Sequence, residues 1–317
     1  PLYSSAASDV YKRQGMDCVE MLYKPEDIDF MWRSPAGLHK RSEYLSNSGD
    51  SLGNYLDHNS GGWQEILPNG GGECSYKGAC LGMHGEISSV PWDCRIIKDS
   101  EEEVVLKACI TTLRSPFRLE KEISLKRDES AITIRESLTN LAKEPMELMW
   151  GHHPTVGKPF LDSSCRIDTN GTVGFSMDQR DFETQRLKPG TRFEWPAAGN
   201  GVDFSNVPGE DADTADMIYI TGFPERAWYR VHNETKNISY GMSWDGKLFP
   251  YMWMWQVCGG SYGYPWYGRT YNLALEPWTS YPSSGLIKAI ENGSALCLEA
   301  GEVRQTELCF WIKKEEI

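Results

Sequence analysis

The chain has 317 residues, of which 32 are basic and 45 acidic, so its formal net charge is −13. Binding to phosphate backbones requires a basic surface stripe, and none is present; we therefore expect neither a nucleic acid nor an anionic membrane as a partner. The apolar fraction of 40% is ordinary for a globular protein, and a chain of this length can bury a large core.

The first fifteen residues, PLYSSAASDVYKRQG, have neither the apolar centre of a signal peptide nor a transmembrane run. They resemble a translated adapter sequence at the end of a gene fragment, so residues 1–15 are predicted to be a non-native tail. A single domain over residues 16–317 is the simplest prediction. Nine unclustered cysteines and no targeting signal favour reduced thiols in the cytoplasm.

After Met16 the chain consists mainly of short apolar-alternating runs separated by Gly, Pro, Asn and Asp. Alternation with a period of two is typical of strands, and regularly spaced turn residues indicate an antiparallel meander. Two pieces, 215–219 and 284–292, have a helical pattern instead. The sequence therefore predicts an all-β sandwich or barrel. The predicted strands are 104–113, 117–125, 131–138, 227–232, 238–244, 271–275, 295–298 and 307–312.

A glycine-rich segment, 61–72 (GGWQEILPNGGG), is the first candidate for ligand contact. It lacks the Lys-Ser/Thr pair of a phosphate-binding loop. Trp63 offers a flat stacking surface, whereas Gln64 and Asn69 offer hydrogen bonds that sugar hydroxyls can take. A plain turn explains the segment equally well.

Two histidine segments follow. His84 precedes Gly85 in MHGEI, and a lone histidine is more often structural than catalytic. His152 and His153 precede Pro154 in WGHHPTVG. Adjacent residues of an extended segment point to opposite faces, so one histidine enters a given pocket, and the proline holds His153 extended. Tandem histidines lack the same-face spacing of paired metal ligands, so we predict no metal and no cofactor.

The segment LALEPWTS places Glu276 at the end of an apolar run. A carboxylate in such surroundings is either paired or has a raised pKa, and both states suit a general base. The structural alternative is an ion pair with Arg269. The chain has no nucleophile elbow and no zinc-helix motif, so one carboxylate with one or two histidines indicates general acid–base chemistry.

Taken in order, His84-Gly85, His153-Pro154 and Glu276-Pro277 resemble the motifs of the aldose 1-epimerase (galactose mutarotase) superfamily, particularly a bacterial branch. The stretches GGWQEILPN and FPYMWMWQ and the closing segment 295–312 are also similar to that branch. The resemblance covers nearly the whole chain after Met16. It implies a large antiparallel β-supersandwich and an isomerase that interconverts the α and β anomers of a free sugar through ring opening.

The resemblance also implies roles for three residues. Glu276 would be the general base at the C1 hydroxyl, His153 the general acid at the ring oxygen, and His84 would bind near that oxygen. The chain lacks the early arginine of a GRxANR-like stretch and has HHPTVG where well-studied members have HPYFN, so the sugar stays open. The predicted sugar contacts are Trp63, Gln64, Asn69, Asp245, Trp255, Trp266 and Arg269.

Two alternatives remain. A hexose-phosphate mutarotase on the same fold would need an Arg or Lys clamp near the pocket. A non-catalytic carbohydrate-binding module would not need the Glu276 carboxylate, because a fold does not determine a function. In each case the expected partner is a small carbohydrate, the expected context is carbohydrate metabolism, and the expected state is a monomer or a homodimer.

Overall fold

The computed structural model describes residues 15–38 and 49–315. The predicted tail therefore lies almost wholly outside the described residues, and its non-native origin stays a prediction. Gly15, the last residue of that tail, is buried, and its backbone N–H donates to the Val90 carbonyl at 2.9 Å. Within the described ranges, no helix has the length and apolar composition needed to cross a membrane.

Strands dominate the described residues, and the two α-helices, α1 (Ser51–Leu56) and α2 (Leu286–Glu291), are short. A 3-10 turn spans Lys24–Glu26. The strands are β1 (Leu22–Tyr23), β2 (Ile28–Asp29), β3 (Trp63–Ile66), β4 (Cys74–Tyr76), β5 (Ala79–Leu81), β6 (Asp93–Asp99), β7 (Glu103–Thr111), β8 (Phe117–Lys126), β9 (Ala131–Asn140), β10 (Met146–Leu148), β11 (Gly151–Val156), β12 (Cys165–Thr169), β13 (Val173–Phe175), β14 (Arg192–Glu194), β15 (Ala197–Gly199), β16 (Val202–Asp203), β17 (Thr214–Thr221), β18 (Arg226–Asn233), β19 (Ile238–Asp245), β20 (Tyr251–Cys258), β21 (Tyr271–Trp278), β22 (Leu296–Leu298) and β23 (Val303–Lys314).

Two large sheets form the body of the protein. One has seven strands in the order β14-β13-β17-β20-β21-β11-β3, and the other has eight in the order β12-β18-β19-β23-β9-β8-β7-β6. Their strand pairs are antiparallel throughout. The all-β antiparallel sandwich predicted from the sequence is therefore confirmed.

The two sheets pack face to face. Trp63 of β3 contacts Phe310 of β23 with ring centroids 5.7 Å apart, and His152 of β11 contacts Glu136 of β9. Val156 is paired with Leu273 in register and shares a face with His152, so these buried apolar side chains face the eight-stranded sheet. The opposite face of β11 and β21 points away from the eight-stranded sheet.

The sequence-predicted elements agree unevenly with the structure. The alternating runs at 104–113, 117–125 and 131–138 correspond to β7, β8 and β9, and 284–292 contains α2. The helical prediction at 215–219 is wrong, because this segment lies inside β17 and is hydrogen-bonded to β13 and β20 on its two sides. All nine cysteines are free thiols.

Candidate functional site

One row of side chains crosses the face of the seven-stranded sheet that points away from the eight-stranded sheet. Gln64 of β3 pairs in register with His153 of β11. On its other side, β11 pairs with β21, where Gly151 is opposite Trp278 and Thr155 is opposite Ala274. This antiparallel register places His153 opposite Glu276. Paired residues of neighbouring strands share a face, so three polar groups meet on a sheet that is otherwise apolar at this level.

Glu276 is held at the centre of this row and is only 1% exposed. Its Oε1 lies 3.5 Å from Nε2 of His153, and its Oε2 accepts a hydrogen bond from the Trp278 indole N–H at 2.9 Å. Burial raises the pKa of the Glu276 carboxyl to about 8, although the hydrogen bond from Trp278 opposes part of that rise. The carboxyl group therefore holds a proton at neutral pH.

His153 is shifted in the opposite direction by the same physical cause. Its Nδ1 lies 3.0 Å from the Thr155 hydroxyl, which shares its face of the strand. Burial lowers the pKa of the His153 imidazole to about 4, because the charged ring loses its hydration. Between pH 4 and 8 the Glu276–His153 pair consequently carries one proton in total.

His84 reaches the pair from a loop that follows β5. Its backbone is in the left-handed region, with φ of 54°, and its ring lies 5.6 Å from that of His153 at 85°. The Gly71 N–H donates to His84 Nδ1 at 3.2 Å, which leaves Nε2 as the protonated nitrogen. Burial lowers the pKa of His84, and the neighbouring His153 lowers it further. His84 is thus a neutral hydrogen-bond donor.

Asn69 holds this loop in place. Its amide nitrogen donates to the carbonyls of Gly72 and Gly82, each at 2.8 Å, and its amide oxygen accepts from the Leu286 N–H at 2.7 Å. Asn69 is fully buried. The sugar contact predicted for Asn69 is therefore corrected: its side chain joins the 69–72 and 82–84 loops to the start of α2 and so positions His84.

Aromatic rings form one wall beside the histidines. Trp255 lies 5.8 Å from His153 between ring centroids, Trp266 lies 5.7 Å from Trp255, and Trp32 contacts both tryptophans at 5.8 and 5.5 Å. Trp266 belongs to a loop that also contains Tyr264. The two predicted sugar contacts Trp255 and Trp266 therefore lie next to the site.

The Trp266 loop spans the site from one wall to the other. The Tyr264 hydroxyl donates to Asp57 Oδ1 at 2.6 Å, at the end of α1. On the same helix, the Tyr55 ring lies 4.6 Å from that of His84. The loop thus touches the His153 side through Trp266 and the His84 side through Tyr264.

Three more predicted sugar contacts lie elsewhere. Trp63 points into the space between the sheets, because it is adjacent to Gln64 in a strand and alternation turns it away. Asp245 ends β19 in the other sheet, where it accepts from the Lys247 N–H at 2.9 Å and closes a turn. Arg269 is exposed, with its guanidinium 5.8 Å from the Tyr267 ring rather than paired with Glu276.

His152 takes part in a separate buried cluster behind the site. Its Nε2 lies 3.1 Å from Glu136 Oε2, and Lys121 forms ion pairs with Glu65 and with Glu136, the latter at 3.9 Å. Glu65, Glu136 and His152 each offer one ligand-type atom, all within 4.8 Å of one another. Because the Lys121 ammonium lies against both carboxylates, it supplies the positive charge that a metal ion would bring.

Residue-by-residue reading of the sequence missed several groups of the site. Trp278 could have been found, because it lies two residues after Glu276 in a strand and so shares its face. Trp32 and Tyr55 had no local signal, since each comes from a segment distant in the sequence. Gln64 was predicted, and the structure places it opposite His153.

A cleft lies on the seven-stranded sheet away from these residues. It is a shallow cleft of about 360 Å³ with three aromatic and several polar side chains, and none of the predicted site residues lines it. The lining residues are Phe175, Ser176, Met177, Asp178, Arg192, Thr221, Tyr251 and Tyr281. The converging titratable groups thus lie at the Glu276 row and not at this cleft.

The family described as "Domain of unknown function (DUF4432)" matches residues 6–312. The chain belongs to this family. The match begins inside the segment predicted to be a tail. No curated protein matches the chain.

Solved structures similar to this DUF4432 chain share its architecture. A "putative aldose 1-epimerase" from Klebsiella pneumoniae has a TM-score of 0.70 and 14% identity over 95% of this chain and 75% of its own. Galactose mutarotase-like proteins from Lactobacillus casei and Clostridium acetobutylicum have TM-scores of 0.62 and 0.63 and identities of 16% and 14%. The Lactobacillus casei match covers 95% of this chain and 95% of its own. The Clostridium acetobutylicum match covers 96% of this chain and 91% of its own. The predicted galactose mutarotase-like fold is confirmed.

Proposed function

We propose that this protein is an aldose 1-epimerase that interconverts the anomers of a free sugar. The observation that carries the proposal is the contact between Glu276 Oε1 and His153 Nε2 at 3.5 Å on adjacent strands, with His84 beside it. Two proton-transfer groups at this spacing can reach O1 and the ring oxygen of one pyranose, because these oxygens share the carbon C1. The similar structures described as a putative aldose 1-epimerase and a galactose mutarotase-like protein support the same class of reaction.

The reaction requires two proton transfers at one carbon. Glu276 takes the proton of the C1 hydroxyl, the bond from C1 to the ring oxygen breaks, and its electron pair goes to the ring oxygen. His153 protonates that oxygen, and His84 lies beside His153. Rotation about C1–C2 exposes the other face of the aldehyde, and closure reverses each transfer. An acid–base pair of this kind contributes about 10²–10⁴-fold.

The Glu276–His153 pair holds its shared proton on Glu276. Glu276 must be ionised and His153 protonated to begin this sequence, whereas burial favours the neutral carboxyl and the neutral imidazole. Both arrangements hold one proton, so transfer across the 3.5 Å contact converts one into the other. Sugar hydroxyls stabilise the charged arrangement, because they can hydrogen-bond to both ions at this buried position.

The sugar is bound mainly by stacking in this proposal. Trp255 and Trp266 offer indole faces next to His153, and the apolar face of a pyranose packs on such rings. Gln64 lies in the same row. Arg269 is exposed, and Lys121 is on the other side of the sheet, so neither forms the phosphate clamp of the hexose-phosphate alternative.

The test is equilibration of pure anomers followed by polarimetry and exchange NMR over a panel of aldoses. We expect the wild type to accelerate the equilibration of the anomers of at least one sugar. Glu276→Gln or His153→Ala should reduce the rate of that equilibration at least about 10²-fold. Both variants should keep the native circular dichroism spectrum. His232→Ala and Glu307→Gln are matched controls in the eight-stranded sheet and should retain full activity.

The outcome separates the enzyme from the binding module. If the wild type and Glu276→Gln both bind a sugar and neither accelerates its equilibration, the catalytic proposal is refuted and a carbohydrate-binding module remains. If Glu276→Gln retains the wild-type rate, the residue assignment is refuted.

A further inference from the structure

A buried chain of hydrogen bonds runs alongside the Glu276–His153 pair. The Tyr55 hydroxyl donates to Gln64 Oε1, and Gln64 Nε2 donates to Asp17 Oδ2 at 3.0 Å. All three residues are less than 9% exposed. They come from the N-terminal segment, α1 and β3, so no sequence motif connects them.

Asp17 sets the donor-to-acceptor direction of these two hydrogen bonds. A carboxylate oxygen only accepts, so the Gln64 amide must present its NH₂ to Asp17 and its carbonyl to Tyr55. The reverse orientation would press the amide oxygen against the carboxylate. Even a protonated Asp17 keeps this direction if the proton is on Oδ1, which has no partner among the described residues. The Tyr55 hydroxyl therefore donates its proton to the hydrogen bond with Gln64 Oε1.

The oxygen of Tyr55 is left as an acceptor. Burial raises the pKa of Tyr55 well above 10, and the charges of Asp17 and Glu276 raise it further, so the hydroxyl stays protonated. The Tyr55 ring lies 4.6 Å from the His84 ring between centroids, so the two residues line the same part of the site. His84 has its Nδ1 occupied by the Gly71 N–H and presents Nε2–H as a donor.

We propose that Tyr55 and His84 form an acceptor–donor pair that reads one substrate hydroxyl near the reacting carbon, with Asp17 and Gln64 as the positioning residues that fix its polarity. A hydroxyl donates and accepts at once, so it satisfies both groups. A hydrogen atom at that carbon satisfies neither, and leaving buried polar groups unpaired is costly. The inference rests on the proposed function and narrows it to sugars with that free hydroxyl.

The test compares Tyr55→Phe with the wild type on one reactive aldose and on its series of monodeoxy analogues. On the parent sugar we expect kcat/KM to fall about tenfold. On one analogue, the one that lacks the hydroxyl read by Tyr55, the two proteins should differ by less than about twofold. On the other analogues the tenfold loss should persist. A purely structural role of Tyr55 predicts the same loss on every sugar, and that result would overturn the inference.

Asp17→Asn tests the polarity separately. An asparagine can donate as well as accept, so Gln64 can turn over and the Tyr55 oxygen is no longer restricted to accepting. The discrimination is the ratio of kcat/KM for the parent sugar to kcat/KM for the analogue that lacks the hydroxyl read by Tyr55. We expect Asp17→Asn to lower this ratio as Tyr55→Phe does. Tyr271→Phe is the matched control, because it removes a tyrosine hydroxyl bonded to the Pro208 carbonyl at 2.9 Å on the strand that carries Glu276. That variant should discriminate as the wild type does, and retained discrimination in Asp17→Asn would refute the positioning role.

Failure of the two proposals is distinguishable. If wild type binds one of D-glucose, D-galactose, D-mannose or L-arabinose by calorimetry but accelerates none, the function fails, and the deoxy series is then compared by dissociation constant. Position-specific loss of affinity in Tyr55→Phe would still support the inference. If none of these four sugars is bound or turned over, both proposals fail.

Discussion

Glu276 and His153 show how one environment produces two opposite shifts. Desolvation disfavours whichever form is charged, so the same burial raises the pKa of the carboxyl to about 8 and lowers that of the imidazole to about 4. A water-exposed pair would titrate between these values. The apolar surroundings of the row are therefore what gives the pair a single shared proton over the neutral range.

The same shifts make the folded state sensitive to pH. Glu276 binds its proton more tightly when folded, so its stabilising contribution is complete below pH 4.5 and is lost as the pH rises to about 8. From pH 6.5 to 8 the wild-type free energy of unfolding should fall by about 2 kcal/mol from this group. Glu276→Gln cannot ionise and should lack that fall.

Urea unfolding of both proteins at the two pH values measures the difference. Burial also raises the pKa of Asp17 to about 7, so some decline should persist in the variant. His153 acts in the other direction: its contribution is lost as the pH falls from 6.5 to about 4. Parallel curves for the wild type and Glu276→Gln above pH 6.5 would contradict the buried, proton-holding carboxyl.

At the scale of elements, the order of strands β3, β11 and β21 creates the site. Alternation predicted β7, β8 and β9 well, because these strands are polar on one side. It failed at β17, where an apolar run buried on both faces has no alternation and cannot be told from a helix by periodicity. Motif order located His84, His153 and Glu276, whereas register alone decides that Gln64 faces the site and Trp63 does not.

Gly151 of β11 is required by the same arrangement. A Cβ atom there would lie 2.2 Å from the Trp278 ring, which stacks on Trp253 at 3.9 Å and donates to Glu276. We expect Gly151→Ala to displace Trp278, lower stability by about 1–3 kcal/mol and reduce activity in the fraction that stays folded. Thermal unfolding and the equilibration assay measure the two effects.

Gly82→Ala is the matched control for that substitution. Its added methyl would meet only the Ser51 Cβ at 3.5 Å, which is an ordinary contact. Equal stability of the Gly82→Ala and Gly151→Ala variants would show that the packing of Trp278 against β11 is not the constraint described.

At the scale of the molecule, a polar cluster joins the two sheets directly behind the site. Lys121 of β8 lies between Glu65 of β3 and Glu136 of β9, with its ammonium also 4.6 Å from the Trp92 ring. The single ammonium lies against both carboxyl groups in a core that is otherwise apolar, and burial raises the pKa of Glu65. Sequence patterning could not predict this, because each member is an ordinary charged residue until the two sheets meet.

Removing the cation should be strongly destabilising. Lys121→Met removes the cation shared by the buried Glu65 and Glu136 carboxyl groups, of which Glu136 keeps its contact with His152. We expect a loss of about 3–5 kcal/mol in the free energy of unfolding. Lys126→Met on the same strand removes an exposed ion pair and should cost less than about 1 kcal/mol. Chemical denaturation measures both, and similar values for the two variants would refute the role of the cluster.

Trp255 and Trp266, beside His153, also give the protein an optical property. Trp150, Trp253 and Trp278 are fully buried and emit from a constant environment, whereas Trp255 and Trp266 are only partly covered. A molecule seated against these two indoles excludes water from them and shifts their fluorescence to shorter wavelength. Occupancy of the site can therefore be observed without any turnover, even in a variant such as Glu276→Gln.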